Sequence, residues 1–389
     1  VRIERIKNFL IGALIVSNLV LALNSIPSVR LGIHDLLVRW TGSASLIDRD
    51  LALPLFDPEE ILVRTASFAP KGEAMANIEI HGHIFDRFDP EKFSAGLDRN
   101  HTRLFVNLAL RTVTADQYKK LLEMTASEKR IIHFPGLNWE HTALDRFDLI
   151  ASDLEAIAKM GARGIKIWKN LGLEVRRADG SLLRLDDPAL DPVWDVCRRY
   201  RLLVGIHTAD PPAFFLPPDS KNERIIELMR RPEWSFTNGP GFDELIEQRD
   251  RLFKRRRDVT FIAQHFGELA HDLNRAARLL DENPNVYLDI AQRIDELGRQ
   301  PFAARRFLIL HQDRILFGTD GLPDPEKTTI YNRFLESADE YFDYHPAHKP
   351  KKGLWKIYGL QLPEGVMKKI YFDNAAKLLG LPTGGFSGR

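Results

Sequence analysis

The sequence predicts an α/β fold: a (β/α)8 TIM barrel with an extended arm before it and extra C-terminal helices after it. Three observations predict this. Eight short, apolar, β-rich runs lie between residues 77 and 320. Stretches of helical periodicity separate them, and strands alternating with helices imply parallel βα units. Eight such units within about 245 residues fit a closed barrel, which uses ~250, better than an open sheet.

The runs are NIEIHGH (77–83), RLFVNLAL (103–110), RIIHFPGL (130–137), ARGIKIW (162–168), LLVGIHT (202–208), VTFIAQHF (259–266), VYLDIAQ (286–292) and ILFGTD (315–320). Between them lie TADQYKKLLEM, DLIASDLEAIAKM, ALDPVWDVCRRY, FDELIEQRDRLFKRR, LNRAARLLDE and ARRFLILHQ, which read as helices. The longest insertion, 209–240, carries PPAFFLPP and PEWSFTNGP and suits a lid. Residues 326–380 add helices that stop near Gly380 and Pro382. The barrel is thus expected over 77–389.

The first 76 residues read differently. VRIERIK places Arg2, Arg5 and Lys7 ahead of the apolar run FLIGALIVSNLVLAL, residues 9–23. A basic segment before a short apolar run is the layout of a secretory signal, and Val20-Leu21-Ala22 offers small residues for cleavage. Residues 1–23 are read as a signal peptide or membrane anchor, and the protein as exported to the bacterial periplasm or held on its membrane. Residues 24–76 show no clean period and read as a linker and wrapping arm.

Composition sets further bounds. The 389 residues are 44% hydrophobic and 28% charged, which excludes a disordered or multi-span membrane chain. The net charge of +1 gives no basic field to attract nucleic acid. A single cysteine, Cys197, excludes an intramolecular disulfide and a cysteine-based zinc site. A small-molecule substrate is the expected partner, and the sequence leaves a homo-oligomer open.

The chemistry sits where the strands end, the face on which barrel enzymes build their sites. His81 and His83 end strand 1, Lys166 strand 4, His207 strand 5, His265 strand 6 and Asp320 strand 8. His-x-His on a strand points both imidazoles to one face, so the pair can chelate one ion. Singly, His207 and His265 read as satisfied core histidines, Asp320 as a turn residue in Thr-Asp-Gly and Lys166 as a snorkelling lysine. Jointly they require an ionisable group at the end of five separate strands, which favours a metal site. Small residues stand two positions before four of them: Gly164, Gly205, Ala263 and Gly318. Period-two alternation would then turn Lys166, His207, His265 and Asp320 inward together. Arg293 and Trp168 are further candidates for substrate binding, and Lys254–Arg257 reads as a solvated helix end.

From about residue 77 to 380 the chain resembles the amidohydrolase superfamily, within its amidohydrolase-related branch, which includes aminocarboxymuconate-semialdehyde decarboxylase-like enzymes. The resemblance rests on IEIHGH, GIKIWKNLG, VGIHTADP, FIAQHFG, ILFGTDG and IYFDNAAKLLG. It implies one divalent metal, usually Zn2+, held by His81, His83, His207 and Asp320. By the same resemblance His265 orients or polarises the substrate, or becomes a ligand if a second metal binds. Lys166 either bridges that second metal once carboxylated or stays an ammonium, facing a substrate carboxylate or a neighbour such as Glu79. Asp320 and His265 are the catalytic pair, as proton acceptor and oxyanion stabiliser. The leading expectation is a metal-dependent hydrolase of C–N or C–O bonds in a small carboxylated molecule. The alternative is a non-oxidative decarboxylase on the same site.

Overall fold

The eight apolar runs fold into eight strands, each parallel to its hydrogen-bonded neighbours. The structure, a computed structural model, describes residues 75–84, 88–347 and 352–383. The signal or anchor expected over 1–23, and nearly all of the arm expected over 24–76, lie outside the described residues. Among the described residues, no helix is long and apolar enough to cross a membrane.

The strands are β1 (Asn77–Gly82), β2 (Thr102–Ala109), β3 (Ile131–Pro135), β4 (Gly164–Ile167), β5 (Leu203–Ile206), β6 (Phe261–Ala263), β7 (Val286–Asp289) and β8 (Ile315–Leu316). One major helix follows each: α1 (Pro90–Arg99), α2 (Ala115–Met124), α3 (Phe147–Lys159), α4 (Asp191–Tyr200), α5 (Phe242–Arg255), α6 (Leu273–Glu282), α7 (Pro301–Leu310) and α8 (Pro325–Glu336). Local chemistry sets where the helices start. Asp89 and Asp324 cap α1 and α8, each just before a proline that needs no donor partner. Thr114 and Gln117 form a reciprocal capping box on α2, and Asp272 caps α6.

The ladders run β1-β2-β3 and β4-β5-β6-β7-β8. Between β8 and β1 the barrel closes through the extension of β8: Ile80 N–H donates to Phe317 O at 3.1 Å, Asp320 N–H to His81 O at 2.9 Å and His83 N–H to Gly321 O at 3.0 Å. Glu79 reinforces that seam by accepting from Thr319 N–H and the Thr319 hydroxyl. Between β3 and β4 the contact is side-chain packing. A Cβ on Gly164 would lie 2.5 Å from the Phe134 ring, so only glycine admits that ring.

Outer-facing residues such as Ile165, Val204, Phe261, Leu288 and Ile315 pack with the helices in the main core. A second core joins Ile78, Val106, Leu203, Ile262 and Leu316 to Phe372, Ala375 and Leu379 of the C-terminal helical stretch. That stretch runs Glu364–Lys368, a π-turn Lys369–Asp373 and Asn374–Leu378. Ile370 O, within the π-turn, accepts from Phe317 N–H at 3.0 Å, which ties the last helix to β8.

Part of the expected lid, Leu216–Ser235, belongs to a separate compact unit from the one holding the strands. It contains a helix, Ile225–Arg230, and a turn, Pro232–Trp234. The basic run Lys254–Arg257 at the end of α5 is not wholly solvated as expected: Arg256 is buried and bonds Asp195 and Asp258, because a guanidinium that deep needs carboxylate partners.

Candidate metal centre

The end of β1 delivers the first two imidazoles. His81 is fully buried, and its Nδ1 lies 2.9 Å from Asp289 Oδ2 on β7. His83, just past β1, has its Nδ1 3.1 Å from Leu108 O on β2. His265 has its Nδ1 3.0 Å from Ala291 O. A carboxylate or carbonyl oxygen can only accept, so each of these Nδ1 atoms carries the proton. Each Nε2 is therefore a lone pair. The Nε2 of His81 and of His83 lie 3.7 and 3.1 Å from Asp320 Oδ1.

His265 and Asp320 do not arrive by strand alternation, which corrects the register expected from the sequence. Ala263, the supposed inward marker on β6, packs outward in the main core, while Gln264 takes the inward position and meets Gly205. The strand ends at Ala263, and a left-handed turn follows with φ of 53° at His265, 58° at Phe266, 61° at Gly267 and 58° at Glu268. The turn brings in both His265 and Glu268. Asp320 likewise has a φ of 64° and lies four residues beyond β8. Such conformations cost L-residues energy and persist only where the surroundings impose them.

The donors form two groups that share His265. His81, His265 and Asp320 have donor atoms all within 4.8 Å of one another, and so do His207, His265 and Glu268. The His265 ring stands between those of His81 and His207, at centroid distances of 4.6 and 4.2 Å. Of the four expected ligands, His81, His83 and Asp320 meet directly. His207 joins them across His265, its Nε2 3.5 Å from Glu268 Oε1 and 3.6 Å from Asp210 Oδ1.

Electrostatics favours a neutral His81, a neutral His265 and an ionised Asp320. Burial lowers the pKa of His81 against the pull of Asp289. Burial, aided by His207 and His81, lowers that of His265 well below its ordinary value. Burial works to raise the pKa of Asp320, but its basic neighbours, His83, His81 and Lys327, outweigh that and lower it, so Asp320 is a carboxylate. His265 is thus a neutral acceptor at Nε2, not the donor that an oxyanion stabiliser requires.

The candidate substrate residues divide. Lys166 is buried, its pKa is brought down to about 7 by desolvation, and its Nζ donates to Gln264 Oε1. It does not pair with Glu79, whose oxygens accept from His81 N–H and from Thr319, and whose pKa burial pushes up to about 7. Arg293 is not a solvent-facing arginine: it is buried and bonds Glu268 Oε2. Trp168 is 37% exposed, with Lys169 Nζ 5.8 Å from its ring centroid.

A divalent cation fits this donor set. His81 Nε2, His207 Nε2 and Glu268 Oε1 are buried polar atoms with no hydrogen-bond partner among the described residues. A lone pair of His83 faces the Asp320 carboxylate, which repels unless positive charge lies between them. Imidazole nitrogens with carboxylate suit Zn2+ or Mn2+.

Three participants were missed by sequence reasoning. Asp289 stands in the quoted strand VYLDIAQ, and a carboxylate in an apolar parallel strand is itself a signal. Glu268 follows His265 by three positions, and Gln264 precedes it; nothing in the sequence announces the left-handed turn that exchanges their facing.

Comparison with known proteins agrees with the fold. The chain is similar to a dihydroxybenzoic acid decarboxylase from Polaromonas sp., solved with bound manganese and the inhibitor 2-nitroresorcinol, at 17% identity and a TM-score of 0.52, over 79% of this chain and 97% of that one. It is also similar to a 2,6-dihydroxybenzoate decarboxylase complexed with 2,6-dihydroxybenzoate, at 17% identity and a TM-score of 0.50, over 79% of this chain and 100% of that one. No curated protein matches the chain. The amidohydrolase family profile matches residues 78–381, which span nearly all of the barrel and the C-terminal helical stretch. The chain therefore belongs to the amidohydrolase family, in the amidohydrolase-related branch of that superfamily.

Proposed function

We propose that this protein is a divalent-metal-dependent, non-oxidative decarboxylase of a small aromatic carboxylate. The observation that carries the metal dependence is the convergence of three Nε2 lone pairs, from the buried His81 and His265 and the half-buried His83, their Nδ1 protons locked, on one ionised carboxylate. Decarboxylation is favoured over hydrolysis by the likeness of the fold to two dihydroxybenzoate decarboxylases.

In this reading His81, His83, His207 and Asp320 hold the ion, with His265 beside it. When bound, a divalent ion supplies Lewis-acid attraction for the substrate's carboxylate and an adjacent hydroxyl. The chain's own residues handle the proton. Asp320, a carboxylate at rest, accepts the hydroxyl proton and passes it to the ring carbon that bears the carboxylate. The C–C bond then breaks, CO2 leaves, and the electron pair restores the aromatic ring as a phenolate, which takes a proton from water. His265, neutral with Nε2 free to accept, orients a second substrate hydroxyl. Lys166 supplies positive charge toward the substrate carboxylate, and Trp168 offers an aromatic face.

Hydrolysis remains a second reading, favoured by one observation: an ionised Asp320 also suits a base that takes a proton from water. Product analysis separates them. Manganese- or zinc-loaded protein incubated with dihydroxybenzoates should release CO2 and the corresponding phenol. Turnover of amides or lactones with incorporation of labelled water oxygen, and no CO2 from any aromatic acid, would overturn the decarboxylase reading.

A further inference from the structure

Asp289 is buried on β7 and belongs to neither donor group. Its two oxygens act on different metal-site histidines. Oδ2 lies 2.9 Å from His81 Nδ1. Oδ1 accepts from His265 N–H at 3.0 Å and from Ala291 N–H at 3.1 Å. His265 is the first residue of the left-handed turn, and Ala291 is the residue whose carbonyl holds the His265 ring. We propose that Asp289 is the positioning residue of the metal centre: one oxygen fixes the tautomer and basicity of His81, and the other pins the left-handed turn that aims His265. The proposal rests on the metal-centre reading above.

The argument compares the imidazoles. Of these three imidazoles, His83 and His265 are oriented by neutral backbone carbonyls and His81 by a carboxylate. A carboxylate partner draws the Nδ1 proton more strongly and raises the electron density at Nε2, so His81 becomes the strongest donor of the three. Such outer partners are worth ~10–100-fold in metal affinity. The second bond has a separate role. Four consecutive left-handed residues are disfavoured, and the charge-assisted bond from His265 N–H opposes that cost at the first of them.

The two roles separate in two variants. In Asp289→Asn the amide oxygen still accepts from His265 and Ala291 N–H, so its NH2 must face His81 Nδ1. That bond works only if the His81 proton moves to Nε2, the atom needed for the ion. In Asp289→Ala both roles are lost. The test measures binding of Zn2+ and Co2+ alone by competition with a chelator, the visible spectrum of the cobalt form and the melting temperature of the metal-free chain. Asp289→Asn should bind either ion ~10–100-fold more weakly, with an altered cobalt spectrum and an unchanged metal-free melting temperature. Asp289→Ala should lose both affinity and metal-free stability. Wild-type affinity and spectrum in Asp289→Asn would overturn this inference while leaving the metal centre standing. Failure of the wild-type chain to bind either ion would overturn both.

Discussion

Replacing Arg293 by methionine decides whether this side chain serves the fold or the substrate. Arg293 bonds Glu268 and donates to Gln292 O at 2.7 Å, and the side chains of the ion pair are only 6% and 1% exposed. Methionine keeps much of the volume but strands the Glu268 carboxylate where water cannot solvate it. Removing one partner of such a pair costs about 3–5 kcal/mol. At the low end of ~2–4 °C per kcal/mol, the melting temperature of the metal-loaded protein should fall by roughly 6–10 °C. The assay is thermal and denaturant unfolding of wild type, Arg293→Met, Glu268→Gln and the double variant. The double variant should recover at least half of the loss, with a coupling of about 2–3 kcal/mol, because it contains neither charge. If Arg293→Met is as stable as wild type and only raises KM for an aromatic acid, the reasoning fails, and Arg293 is the substrate anchor that the sequence suggested.

Other consequences can be checked separately. Burial lowers the His133 pKa from 6.5 to about 4, and its Nδ1 and Nε2 are engaged with Asn107 and Thr125. A depressed base adds stability above its unfolded pKa and loses it as pH falls, so between pH 6.5 and about 4 wild type should lose about 3 kcal/mol more than His133→Gln; parallel curves would refute this. A Cβ on Gly318 would lie 2.8 Å from His81 Cβ, so Gly318→Ala should weaken metal binding by about tenfold or more while the barrel still folds; unchanged affinity in a chelator titration would contradict it. Metal analysis and intact mass should give one ion per chain and an unmodified Lys166, since Arg293 neutralises Glu268 and Gln264 holds the lysine amine. Two ions per chain, or a carbamate on Lys166, would defeat that expectation.

The sequence by itself determined the repeating βα order and the boundaries of most helices, and it pointed to ionisable residues at the strand ends. Burial on both faces makes a parallel strand apolar throughout, so an ionisable group at its end stands out without any structure. His81, His83, His207, His265, Lys166 and Asp320 were legible for that reason. Alternation within a strand also correctly paired Gly164 with Lys166. It failed at His265 and Asp320, because alternation holds only while the backbone is extended. Both residues lie past their strands with positive φ, and tertiary contacts impose that conformation: Asp289 accepting from His265 N–H, and His81 O accepting from Asp320 N–H. The same limit hid Glu268, Gln264 and the commitment of Arg293. Sequence spacing carries the period of a regular element, but the side-chain directions in a turn depend on what packs against it. Only the folded barrel, which brings β7 beside β6 and β8 beside β1, decided which oxygens those histidines face and hence which nitrogen of each is left for an ion.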